Sequence, residues 1–86
     1  MPELSRFYGI VIRMFHREHQ PAHFHAFYAE HEMVVAIDTL AVIDGSLPPR
    51  ALGMVMEWAS LHQDELKSAW KHAEDLQTIG KIAPLP

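Results

Sequence analysis

The 86-residue chain has no cysteine. That removes disulfides, thiolate metal ligands and cysteine nucleophiles together. Basic residues are few: seven Lys and Arg against eleven Asp and Glu, a formal charge of −4, with no Lys/Arg block. The electrostatic footprint of a nucleic-acid binder is therefore missing, and nucleic acid as a partner has no support from charge. No apolar run is long enough to span a membrane. The first stretch, MPELSRFYGIVIRMF, has no basic segment ahead of its apolar residues, and charges interrupt it. Neither a signal peptide nor a membrane partner is expected, and a cytoplasmic location is the default. Internal repeats and low-complexity tracts are also absent.

What is present is a globular composition. Hydrophobic residues are 49% of the chain and charged residues 21%. Residues 1–86 are read as a single domain, since so short a chain has little room for a second core.

The apolar pattern changes period partway along. Residues 7–16, FYGIVIRMFH, are β-branched and aromatic and predict strand one. Residues 17–22, REHQPA, are a polar loop. Residues 23–29, HFHAFYA, and 33–38, MVVAID, predict two more strands, joined by AEHE, a short connection without the usual glycine. LAVI at 40–43 adds a short fourth strand, closed by the turn Asp44-Gly45. From Pro48-Pro49 onward the spacing is helical: Ala51, Leu52, Val55, Trp58, Ala59, then Leu66, Ala69, Trp70, Ala73. One straight helix over 49–75 would be about 40 Å long and overhang so small a domain. Ser60-Leu61-His62-Gln63 matches a capping box, so a bend or break near 60–63 is expected. The tail from Gly80 to Pro86 is expected to be extended. The predicted fold class is α+β: an antiparallel sheet of three to four strands, then one bent helix or two helices packed on one face.

Four of the seven histidines fall within HREHQPAHFH, residues 16–25. If the short loops are symmetric, Tyr28 faces Met33, His25 faces Ala36 and His23 faces Asp38. The same assumption sets His16 opposite His23 and Met14 opposite His25. His16, His23, His25 and Asp38 then gather at one end of one sheet face. Histidines at i and i+2 on a strand point the same way and can converge on one ion. Zinc accepts three such ligands plus water. His16, His23, His25 and Asp38 are thus the candidate metal ligands, with His19 in reserve. His23 and His25 are also candidate acid–base groups, because imidazole titrates near neutral pH. The competing reading is a polar sheet end whose histidines bond to backbone carbonyls and water. Arg13 falls on the opposite face by parity, where it snorkels to the rim or holds an anion. His62 and Glu65, one helical turn apart, could add ligands, but a capping histidine is the favoured reading. The same registers make both sheet faces apolar, and one helical layer covers only one of them. The surplus surface calls for a partner.

FYGIVIRM, PAHFH with Tyr28 shortly after, LPPRAL, EWASLH, DEL and AW together resemble the bacterial family DUF4160 over nearly the whole chain. Its histidine region resembles HxPPHFHxxYGE, which His19, Pro21, His23, Phe24, His25 and Tyr28 match. Ala22 replaces the second proline, and Ala29 replaces the glycine before Glu30, which bears on the hairpin turn. The resemblance implies no established activity. It does imply an association: members are often encoded beside a second small family, DUF2442, and the pair is described as a toxin–antitoxin module.

Three readings follow. The first is an interaction protein that forms a homodimer or binds a small cognate protein, as one half of a toxin–antitoxin-like pair. The second is a histidine- or metal-dependent hydrolase, such as a ribonuclease-like toxin. The third is a metal-binding module without catalysis.

Overall fold

Phe7-Tyr8-Gly9-Ile10 is a tight turn inside the segment expected to be one strand. Tyr8 and Gly9 both have positive φ, 49° and 81°, the backbone that a two-residue hairpin requires. The computed structural model describes residues 3–16 and 18–86. There, β1 (Glu3–Phe7) and β2 (Ile10–Arg13) pair across that turn, followed by β3 (His23–Tyr28), β4 (His31–Ala36) and β5 (Val42–Gly45). Strand one is therefore two strands, and the sheet has five strands rather than three to four. They form an antiparallel meander in chain order. Gly9 marks the missed turn by its φ; an added Cβ would meet the Tyr28 ring at ordinary contact distance, 3.4 Å.

The β3–β4 hairpin turns tightly through Ala29-Glu30, with Tyr28 opposite His31, His25 opposite Val34 and His23 opposite Ala36. This differs by two residues from the expected register, so the sharing of faces survives while Asp38 moves out of reach of His23. Ala29 takes φ 51° where the family pattern has glycine, so the hairpin forms despite the replacement. β2 and β3 differ by one residue from expectation. Arg13, not Met14, lies opposite His25, and Ile12 lies opposite Ala26. A one-residue slip exchanges the faces of a strand.

That exchange decides the architecture. Ile10, Ile12, Met14, Phe24, Ala26, Met33 and Val35 now share one face and are buried. Both faces were expected to be apolar; one is. Burial supplies the reason, since this register sets Ile10, Ile12 and Met14 on the same face as buried Phe24 and Ala26. The 16–22 loop absorbs the odd residue.

Two helices close that face. α1 (Pro49–Leu61) buries Ala51, Val55, Trp58 and Ala59, and α2 (Gln63–Glu74) buries Leu66, Ala69, Trp70 and Ala73. Trp58 is the central contact, with ring centroids 5.6 Å from Phe7 and 5.9 Å from Phe24. Its indole N–H donates to the Ala83 carbonyl at 2.8 Å. The break falls at His62, within the expected window; a single rod of about 40 Å would exceed the longest extent of the fold, 33 Å. The capping box does not form. Ser60 Oγ donates to the Glu57 carbonyl instead, and the His62 side chain meets Glu65. The irregular tail buries Ile79, Ile82 and Leu85, and the Ile82 N–H donates to the Leu4 carbonyl. Among the described residues, no helix is long and apolar enough to cross a membrane.

Candidate functional site

β3 sends alternate side chains to opposite faces. Phe24 and Ala26 enter the core, whereas His23 and His25 turn toward the other side. His23 is nevertheless buried, because it sits at the strand end beside the Trp70 ring, 5.2 Å between centroids. His25 lies between Phe15, edge-on at 4.7 Å, and Phe27, stacked at 6.2 Å. The two imidazoles are 5.2 Å apart.

The polar partners of these rings are specific. His23 Nδ1 donates to the Pro21 carbonyl at 2.7 Å. That hydrogen bond places the ring proton on Nδ1 and leaves Nε2 with its lone pair. His23 Nε2 is 3.6 Å from Glu18 Oε1, and His25 Nε2 is 2.7 Å from the same oxygen. On the far side of its ring, His25 Nδ1 is 3.1 Å from Glu32 Oε2. Glu18 thus reaches from the loop across both rings, and one ligand atom from each of Glu18, His23 and His25 lies within 4.8 Å of the others.

The Glu18 carboxyl is held below its ordinary value. Burial is the largest single influence and pushes it up. The hydrogen bond from His25 and the charges of His23 and His25 together outweigh it. The cluster opens into a depression of about 240 Å³ lined by His19, Val34, Ile43 and Asp44 as well as the three residues themselves.

Of the ligand set expected from the sequence, His23 and His25 come together. His16 and Asp38 do not join them. His16 is exposed and its Nε2 meets the Gln77 carbonyl at 3.0 Å, tying the loop to the segment after α2. Asp38 is exposed, in a different depression beside Lys67 and Trp70. His19 is exposed on the rim. Arg13 sits directly across from His25 on the same face, not the opposite one. Tyr28, at the far end of β3, packs over Gly9 and lines a separate groove with Tyr8, Arg50 and Glu57. Sequence reasoning missed Glu18 and Glu32. Glu32 is visible only once the hairpin register is known: it precedes Val34, the partner of His25, by two residues. Glu18 carried no pattern beyond being an acid near two histidines.

The chain belongs to the family described as a domain of unknown function, DUF4160, whose family model matches residues 9–71. No curated protein and no solved structure matches it.

Proposed function

We propose that this domain binds a divalent cation of the zinc class through Glu18, His23 and His25. One observation carries the reading: both imidazoles point Nε2 at the same carboxylate oxygen while each Nδ1 faces an acceptor of its own. A polar sheet end with inert histidines has no need of that convergence. Metal-ligating histidines usually do have such an acceptor on the second nitrogen. The spacing fits as well. Bonds near 2.0–2.1 Å at tetrahedral angles put neighbouring ligand atoms roughly 3.3 Å apart, and the two observed separations of 2.7 and 3.6 Å bracket that value. Two nitrogens and one oxygen, without thiolate, suit zinc better than calcium or magnesium. Three protein ligands leave a position facing the depression, where a bound water would be the group available for hydrolysis.

Titration of the untagged protein with zinc at about pH 7.5 tests this, since ligands must be deprotonated to bind. Heat of binding and a change in Trp70 emission are expected, because the Trp70 ring lies against His23. Neither signal appearing, or both persisting in the His23→Ala/His25→Ala double variant, rejects the site. RNA integrity on induction, compared between wild type and His25→Ala, tests whether a loaded site acts as a ribonuclease-like toxin.

A different observation favours a second reading. Ile43 of the edge strand is exposed beside half-buried Val34, on the face that also carries half-buried Phe27. An interaction protein would use that surface against a second copy or a small cognate protein, in a toxin–antitoxin-like pair. Light scattering at tens of micromolar, with and without a co-encoded protein, measures it; a monomer in both conditions rejects it.

A further inference from the structure

The zinc reading leaves one carboxylate without a task. Glu32 projects from β4 on the face of His25, because the residue two positions on, Val34, is the direct partner of His25. Its Oε2 is 3.1 Å from His25 Nδ1, and His25 is its polar side-chain partner among the described residues. We propose that Glu32 is the positioning residue of the metal site: it selects the ring form of His25 that can ligate.

The argument, which rests on the zinc reading, comes from comparing the two histidines. His23 is held by a backbone carbonyl, so its Nε2 is presented whatever the neighbouring side chains are. Among the described residues, His25 has no backbone acceptor at Nδ1. Each of its ring nitrogens faces a carboxylate, Glu18 at Nε2 and Glu32 at Nδ1. A neutral ring carries one proton and can donate to only one of them. If it donates to Glu18, Nε2 is protonated and both groups are tied to each other, with neither free to bind an ion. If it donates to Glu32, Nε2 presents its lone pair and Glu18 is released to ligate beside it. Glu32 therefore favours the ring form in which all three ligands are available together. Its own side chain is half exposed, so the strand tolerates replacement there.

The test is zinc affinity by competition with a chromophoric chelator, for untagged wild type, Glu32→Gln and Glu32→Leu. Ring ¹⁵N spectra of the zinc-loaded proteins accompany it. Glu32→Leu should bind zinc ~10–100-fold more weakly. Glu32→Gln should stay within about threefold of wild type, because the amide oxygen still accepts from Nδ1–H. The spectra of wild type and Glu32→Gln should show His25 coordinated through Nε2 with a proton on Nδ1. Wild-type affinity and the same ring pattern in Glu32→Leu overturn the role of Glu32 and leave the metal site standing. Equal weakening in Gln and Leu also overturns it, since charge rather than the acceptor would then be responsible. A wild type that binds no zinc overturns the site itself and this inference with it.

Discussion

The two faces of the sheet are made by the same strands and differ in almost everything else. The covered face is aliphatic and aromatic apart from Ser5, and it is sealed by α1, α2 and the tail. The other carries His25, Glu32 and Arg13 among half-buried Phe15, Phe27 and Val34. One strand serves both: β3 gives Phe24 to the core and His25 to the cluster, one residue apart. Burial constrains the first face so strongly that side-chain type follows from parity. The second face contributes little to stability, so its residues are free to be chosen for chemistry. Aromatic rings around His25 then exclude water from part of the cluster without belonging to the core.

The sharpest way to break that comparison is to truncate one aromatic on each face. Phe24→Ala removes a fully buried ring packed on Trp58 and should cost about 3–5 kcal/mol. Phe27→Ala removes a half-buried one and should cost roughly 1 kcal/mol. Urea unfolding of both variants decides it; equal losses would mean that the second face is also covered, by a partner in solution.

The next effect is smaller in free energy and opposite in location. His25→Ala and Glu18→Ala should weaken zinc binding by more than the ~100-fold that outer-shell partners carry, with melting temperatures near wild type. His16→Ala and Asp38→Ala should leave affinity unchanged, since neither residue reaches the cluster. Calorimetry on the four variants separates the proposed ligand set from the one that symmetric loops imply. A loss in His16→Ala would restore the latter.

Those two ligand sets show where the sequence is legible. Alternation marked β3 and β4 and put His23 and His25 on one side, because parity within a strand needs no register. The Val55–Trp58–Ala59 and Leu66–Ala69–Trp70–Ala73 spacings marked the helical segment, and its length demanded a bend or break, which falls at His62 inside the expected window of 60–63. What did not follow was pairing between strands. Loop 16–22 carries no turn chemistry that sets its count, and symmetric closure misplaced β2 by one residue. The Tyr8-Gly9 turn was hidden because tyrosine seldom takes positive φ. Two of these misses moved a site residue: the β2–β3 slip carried Arg13 to the His25 face, and the two-residue hairpin offset exchanged Asp38 for Glu32.

The hairpin itself offers a milder perturbation. Ala29 occupies left-handed backbone, φ 51°, at a cost of about 1–2 kcal/mol for an L-residue. Glycine adopts it freely but loses roughly 0.5–1 kcal/mol more entropy on folding. Ala29→Gly should therefore stabilise the protein by about 0.5–1 kcal/mol. Because this turn sets the register that brings Glu32 to His25, zinc affinity should hold or improve. Thermal unfolding and the zinc titration together measure it; a destabilised variant would mean that the Ala29 methyl makes a contact worth more than the strain.

The smallest effect concerns acid. The Glu18 carboxyl on the uncovered face is moved down, against burial, by His25 and His23. A carboxyl lowered in the folded state contributes stability that is present above its unfolded value, about 4.3 for glutamate, and is lost as pH falls through the lower folded value. The metal-free protein should thus lose stability below about pH 4.3 more steeply than Glu18→Gln, whose amide does not titrate. The gap between the two melting curves should close toward the acid end. Glu3 is lowered as well, by the hydrogen bond from Arg6, but that guanidinium is exposed to solvent, so the pair should contribute nothing comparable. Melting temperatures of wild type, Glu18→Gln and Glu3→Gln across the acid range make the measurement. Parallel curves for wild type and Glu18→Gln would mean that the loop carboxylate is no more fixed to the histidines than Glu3 is to Arg6. The uncovered face would then be an ordinary polar surface.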